Sequence, residues 1–302
     1  MVPDSAFRAV DGPTLRTEFV EANGIRFHCK VDGEGPLVLL LHGFPQFWYE
    51  YRHLLPALAA AGYWAVAPDL RGIGDTSRPT RIEDFRLQIL GDDVAALIEA
   101  LGERKAHVMG HDWGGAIASE AALSHPERVD RLMLVNGPPA LVLARGIKFD
   151  WGQRLRSLYV AFFRIPRLPE WWLTAGHGRV MTYMLSDGEF SPEDVAVYRD
   201  AICRPGVAWA GLAYYRSIAR TIREDGLRLR GKKISSPTLV LWGERDRALG
   251  RKLAEKMDKD FSGPIQKVFF PDVAHWLIED RPDEVARLVI DFLNEGRAGS
   301  PD

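Results

Sequence analysis

Gly110-His111-Asp112-Trp113-Gly114-Gly115 is the stretch whose reading decides the fold. It follows the apolar run Lys105-Ala106-His107-Val108-Met109, which reads as a short buried strand, and precedes residues 116–124, which read as a helix. A reactive side chain between strand and helix, with glycines two before it and two and three after it, has the pattern of a nucleophile elbow. Such a turn leaves no space for Cβ atoms at its flanks, so glycines stand there. The apex is Asp112, not Ser or Cys. A serine alkoxide suits attack on a flat carbonyl. A carboxylate suits displacement at a tetrahedral carbon and leaves an ester of the enzyme's own side chain. The same letters also suit a glycine-rich turn in which Asp112 merely caps the helix, so the rest of the chain must decide.

Working outward, residues 17–21 and 25–31 read as two strands joined by an Asn23-Gly24 hairpin turn. Leu37-Val38-Leu39-Leu40-Leu41 is apolar without alternation, as expected of a strand buried on both faces, and ends in His42-Gly43-Phe44-Pro45. Residues 48–61 predict an amphipathic helix, 63–67 a strand, 85–101 a helix and 131–135 a strand ending at Asn136. Strand–helix alternation implies crossover connections and a mostly parallel sheet. It stops near Pro138. From there to about Asp225 the patterns are helical and crowded with aromatics, among them Trp151, Tyr159, Phe163, Trp172, Tyr214 and Tyr215. It resumes with a strand at 237–242, a helix at 248–257, a strand at 265–270 and a helix at 282–293. The expected architecture is one α/β core, residues 1–137 and 228–302, interrupted after the sixth strand by a helical cap, 138–227. An insertion there sits over the C-terminal strand ends, where open α/β sheets bind ligands.

Composition narrows the function. The 302 residues are 46% hydrophobic and 26% charged, with 39 basic and 41 acidic side chains giving a net charge of −2. That is a normal globular balance and offers no basic stripe for nucleic acid. The two cysteines, Cys29 and Cys203, form neither a disulfide framework nor a metal-type spacing, so a reduced, cytoplasmic setting is expected. Residues 1–5 lack the basic-then-apolar pattern of a secretory leader. No uninterrupted apolar run is long enough for a membrane span. The chain shows no internal repeat, and its one low-complexity feature is the polar tail 296–302. Monomer and homodimer both stay open.

An aspartyl nucleophile needs a base to hydrolyse its ester, an orienter for that base and an oxyanion hole. His275 follows the last strand through Pro271-Asp272-Val273-Ala274, which places it on the same rim as Asp112. Nucleophile, acid and histidine in that order suit an elbow fold. Trp242-Gly243-Glu244-Arg245-Asp246 supplies the orienter: Asp246 first, Glu244 as fallback, although both also suit a helix cap. Asn136 occupies the other acid position of such folds and carries no charge. The backbone N–H groups of Trp113 and Phe44 are the expected oxyanion donors.

These residues carry a resemblance. His42-Gly43-Phe44-Pro45-Gln46-Phe47-Trp48-Tyr49, Ala67-Pro68-Asp69-Leu70-Arg71-Gly72 and Gly110-His111-Asp112-Trp113-Gly114-Gly115 together resemble the epoxide hydrolases of the α/β-hydrolase fold. The similarity extends to Asp246, to His275-Trp276 and to Arg281-Pro282, and covers about residues 15–295. It implies two oxirane-binding tyrosines. Leu212-Ala213-Tyr214-Tyr215-Arg216 matches the segment of the second, making Tyr215 the donor and Tyr214 its substrate-binding neighbour; Tyr159 matches the first. Chemistry asks for such groups independently, since ring opening releases an alkoxide and a phenol donates to it while remaining neutral. Phe44, Trp113, Tyr214 and Gln46 are then expected to touch substrate. Gln46 departs from the family, which often has Glu there, and so puts the positioning of the hydrolytic water in doubt. The implied reaction takes a small apolar epoxide to a vicinal diol without metal or organic cofactor. Two alternatives remain: a haloalkane or haloacid dehalogenase on the same fold, and a non-catalytic binder of a small molecule.

Overall fold

The structure, a computed structural model, describes residues 15–297. Residues 1–5, read above for a leader, and most of the polar tail lie outside them. One sheet of eight strands organises the chain: β1 (Arg16–Ala22), β2 (Ile25–Asp32), β3 (Leu37–Leu41), β4 (Trp64–Pro68), β5 (Ala106–His111), β6 (Val129–Val135), β7 (Thr238–Gly243) and β8 (Ile265–Phe270). Their order is β1-β2-β4-β3-β5-β6-β7-β8. β2 runs antiparallel to both β1 and β4, and every other pairing is parallel. All five residues of β3 and all six of β7 are buried, as continuous apolar runs covered on both faces must be. The helices of the core are α1 (Leu54–Ala60), α2 (Leu87–Ala100) and α3 (Trp113–Ser124). Between β6 and β7 the chain runs through α4 (Ala140–Phe149), α5 (Trp151–Arg156), α6 (Leu158–Phe163), α7 (Leu168–Gly178), α8 (Val180–Met184), α9 (Pro192–Ile202) and α10 (Val207–Arg228). The short helices α11 (Lys252–Glu255) and α12 (Leu277–Asp280) and the long α13 (Pro282–Arg297) complete the core.

The direction of strand addition reverses at β3, which has β4 on one side and β5 on the other. That switch point opens a crevice at the carboxyl ends of β3 and β5. The elbow sits in it. A Cβ on Gly114 would lie 1.9 Å from the Leu41 carbonyl oxygen, so α3 starts in backbone contact with the end of β3. Asp112 stands between β5 and α3 at φ 50°, ψ −114°, a conformation that costs an L-residue roughly 1–3 kcal/mol.

Two helices are shorter than their sequence patterns. Residues 48–61 give a 3-10 turn (Trp48–Tyr51) and then α1. Pro56 is tolerated only in a first helical turn, which forces the start to Leu54. The four residues of the 3-10 turn are all buried, with the Trp48 N–H donated to Asp69 at 3.0 Å and the Tyr51 hydroxyl to the Leu41 carbonyl at 2.9 Å. The helix expected at 248–257 shrinks to α11 because the N–H groups of Ala248 and Leu249 donate to Asp246 at 2.7 and 2.8 Å. The Gly250 N–H goes to Gln153 of α5 at 2.9 Å.

The Leu41–Gly114 approach sets an expected outcome. Gly114→Ala must separate α3 from β3 to admit a methyl group. It should lower unfolding stability by about 3 kcal/mol or more, read from urea or thermal denaturation. A wild-type curve for this variant would show that the approach is not tight.

Candidate active site

Five strand ends converge. Phe44 follows β3, Asp112 follows β5, Asn136 follows β6, Asp246 follows β7 and His275 follows β8. The Phe44 N–H donates to Asp112 Oδ1 at 3.0 Å. A Cβ on Gly43 would come within 2.7 Å of the Asp112 Cβ, so the loop closes against the carboxylate only because residue 43 has no side chain. His275 Nε2 lies 3.8 Å from Asp112 Oδ2, and its Nδ1 is 2.7 Å from Asp246 Oδ2. The imidazole thus bridges the two carboxylates. Glu244, the fallback orienter, instead pairs with Arg251.

Asp246 is wholly enclosed and well served. Besides His275 it accepts the Ala248 and Leu249 N–H groups and the Asn136 amide at 2.8 Å. Burial works against its charge, yet His275, the Leu249 N–H and Asn136 hold its carboxyl below the usual range. Asn136 is also a two-point brace, donating to the Gly243 carbonyl at 3.3 Å and accepting the Gly243 N–H at 2.9 Å. Its lack of charge suits that task. Burial likewise opposes an imidazolium at His275, but Asp246, with Asp112 and Asp187 behind it, overrides this and raises the pKa to about 9.

Over Asp112 the lid helices close a cavity of about 40 Å³, lined by Asp112, Trp113, Tyr159, Tyr215 and apolar side chains such as Leu143 and Leu249. That is room for a water or two. Tyr159, on α6, and Tyr215, on α10, stand with ring centroids 6.0 Å apart. Burial raises both phenols above their ordinary pKa, and the charge of Asp112 adds to the effect. Both are therefore neutral donors. The Trp113 and Tyr215 rings meet edge to face at 5.1 Å. The Phe44 ring packs edge-on to Tyr215 at 5.5 Å.

Of the four side chains grouped with the substrate contacts only Trp113 lines the cavity; the Phe44 ring packs against Phe163 and Tyr215, and the other two lie elsewhere. The Tyr214 hydroxyl donates to the Arg71 carbonyl at 2.8 Å, and its ring backs Trp113 at 5.5 Å. On α10 it points away from its neighbour, so it supports Trp113 from behind and does not line the cavity. Gln46 is buried behind the triad, where its amide donates to the Tyr198 hydroxyl at 3.0 Å and to Glu279 at 3.4 Å.

One pair escaped the motif reading. Glu50, fully buried, accepts the Gly43 N–H at 3.1 Å and faces His111 Nδ1 at 2.7 Å. His111 Nε2 in turn lies 3.0 Å from the His275 carbonyl oxygen. One carboxylate thereby ties the loop after β3 to the loop carrying His275. Nothing in local spacing signals it, because its partners are 7 and 61 residues away. Among the described residues, no group of three or more His, Cys, Asp or Glu side chains is placed to ligate a metal ion.

Comparison with known proteins agrees with this geometry. A family described as "alpha/beta hydrolase fold" matches residues 36–282. The AB hydrolase superfamily protein YfhM of Bacillus subtilis is 35% identical, covering 92% of this chain and 98% of the relative. Epoxide hydrolase A of Mycobacterium tuberculosis is 31% identical over 93% of this chain and 97% of its own length. The crystal structure of Epoxide Hydrolase A from Mycobacterium thermoresistibile superposes with a TM-score of 0.84 at 30% identity, over 93% of this chain and 98% of that one. The chain belongs to the epoxide hydrolases of the α/β-hydrolase fold. This agrees with the family and fold expected from the sequence motifs. Among the described residues no helix is long and apolar enough to cross a membrane.

Two outcomes follow. In Asp246→Asn the chief counter-charge to His275 is gone. The imidazole titration, followed by the ring proton in NMR, should fall from about 9 to about 6.5 or below. Because the folded pKa is raised, the wild-type pair stabilises fully below about pH 6.5. That contribution is lost as pH rises through about 9, so the wild-type melting temperature should drop across this window more than the variant's. An unmoved titration would contradict the ion pair. Separately, Glu50→Ala strands the Gly43 N–H and the His111 ring without an acceptor. It should cost about 3 kcal/mol in urea denaturation, and Glu50→Gln clearly less; equal losses would deny Glu50 its acceptor role.

Proposed function

We propose that this chain hydrolyses a small apolar epoxide to a vicinal diol through an ester on Asp112. The observation that carries the reading is the arrangement across the cavity: a carboxylate at the top of the sheet, faced by two neutral phenols from the lid. Asp112 forms the bond to an oxirane carbon from one side as the ring C–O bond breaks. Tyr215 and Tyr159 donate to the departing oxygen from the other. His275, oriented by Asp246, then deprotonates a water that attacks the ester carbonyl. The N–H groups of Phe44 and Trp113 stabilise the tetrahedral oxyanion, each worth roughly 3–4 kcal/mol in such sites. As the intermediate collapses, the imidazolium protonates the departing alcohol oxygen; the new carboxyl group gives up its remaining proton, which restores the phenol that gave its own to the ring oxygen, and the diol leaves.

The charges support this order. An imidazolium cannot act as base, and His275 owes part of its raised pKa to the negative charge of Asp112. Esterification removes that charge, which shifts His275 toward the neutral imidazole that the second step needs, while Asp246 keeps the larger pull on it. Gln46 lies outside the cavity, which leaves the water to His275. In this reading the lid is residues 138–227 and the core is residues 1–137 and 228–302. The free thiols of Cys29 and Cys203 suit a reduced, cytoplasmic setting.

The test is the intact mass of His275→Gln after incubation with an aryl epoxide and, separately, a haloalkane. An adduct equal to the whole epoxide is expected, absent in Asp112→Ala. An adduct equal to the alkyl halide less hydrogen halide, with none from epoxides, would move the chain to the dehalogenases. Neither adduct would sink the covalent mechanism. Tyr215→Phe should slow ester formation about 100-fold.

A further inference from the structure

Apolar side chains are unevenly distributed over the surface. Among the described residues ten large hydrophobics stand exposed, and seven of them fall between Phe149 and Trp171. Phe149 is 75% exposed, Trp151 67% and Trp171 64%. They line one side of short helices. Trp151 and Leu155 are one turn apart on α5. Leu158 and exposed Ala161 are one turn apart on α6, and exposed Ile165 follows just beyond its end. The opposite side of α6 faces inward, where Tyr159 and Val160 line the cavity and Phe163 packs on Phe44 and Tyr215. A patch that gathers seven of the ten exposed large hydrophobics in one stretch marks an interaction surface.

Charge says what covers it. Residues 145–171 carry six cations (Arg145, Lys148, Arg154, Arg156, Arg164 and Arg167) against two carboxylates, in a chain whose net charge is −2. Both carboxylates are paired, Asp150 with Lys252 and Glu170 with Arg216; of the cations, Arg145 is paired with Asp260. Lys148 and Arg154 lie over the Phe149 and Trp151 rings at 4.9 and 5.2 Å, so cation and aromatic present together. The face adjoins a groove of about 550 Å³ between α4, α5 and α11, whose lining has six cations, among them Arg156, Lys256 and Lys259, against the three carboxylates of Asp150, Glu244 and Glu255. Interfacial aromatics flanked by Arg and Lys fit an anionic lipid surface, where rings enter the headgroup layer and cations meet phosphates. A two-fold pairing of this face with a second copy would instead set six cations against six.

We propose that the outer face of α4–α6 and the start of α7 docks on anionic phospholipid bilayers. The lid then rests on the membrane while the sheet faces away. This docking is independent of the chemistry at Asp112.

The test is co-sedimentation of the full chain with vesicles of phosphatidylcholine alone or with added phosphatidylglycerol, at low and high salt. Binding is expected to the anionic vesicles and to weaken with salt. Trp151→Ser/Leu155→Ser and Arg164→Gln/Arg167→Gln should each reduce the partition coefficient about tenfold, with hydrolysis of a water-soluble epoxide and the melting temperature unchanged. No binding to anionic vesicles, or binding indifferent to both double variants, would overturn the proposal. So would light scattering that shows a wild-type dimer and a Trp151→Ser/Leu155→Ser monomer, since the face would then be a contact between copies.

Discussion

The first turn of α3 lies against the end of β3 at a distance that no side chain fits: a Cβ on Gly114 would meet the Leu41 carbonyl oxygen at 1.9 Å. The site's geometry depends on that approach. It leaves the connection from β5 only a tight turn, holds Asp112 at a positive φ, and brings the Phe44 N–H onto its carboxylate. The strain at Asp112 persists because everything around it is packed: Gly43 below, Gly137 beside, and the buried strands behind.

The second layer is electrostatic. Asp246 and Glu50 are buried carboxylates and Asp112 a half-buried one, and each has partners: a backbone N–H for Asp112, two N–H groups and an amide for Asp246, a backbone N–H and the adjacent His111 ring for Glu50. Buried charge without such partners is costly. Because the donors are mostly backbone groups at strand ends, the sheet that forms the core also solvates the site.

The elbow, His275 and Asp246 were legible because each is a local event, a reactive residue just past an apolar run. The parallel sheet and the helical insertion were legible for the same reason, through alternation and its interruption. What escaped depends on which way neighbouring residues turn. Tyr214 and Tyr215 differ by one step of a helix; one reaches the Arg71 carbonyl and the other the cavity, and periodicity alone does not choose between them. The short α11 had a helical pattern whose first N–H groups are diverted to Asp246 by contacts that only the fold creates. Glu50 reads as one more polar residue on an amphipathic segment until Gly43 and His111 are seen around it.

Gln153 has a consequence for motion. From α5 it accepts the Gly250 N–H at 2.9 Å and donates to the Ala248 carbonyl at 2.8 Å, gripping from both sides the segment whose N–H groups cradle Asp246. Any displacement of α5 must either break this amide clasp or drag residues 248–250 along. Motion of α5 is in this way mechanically geared to the alignment of His275: a shift of that helix pulls on the N–H groups that hold Asp246, and so on the carboxylate against which the imidazole rests.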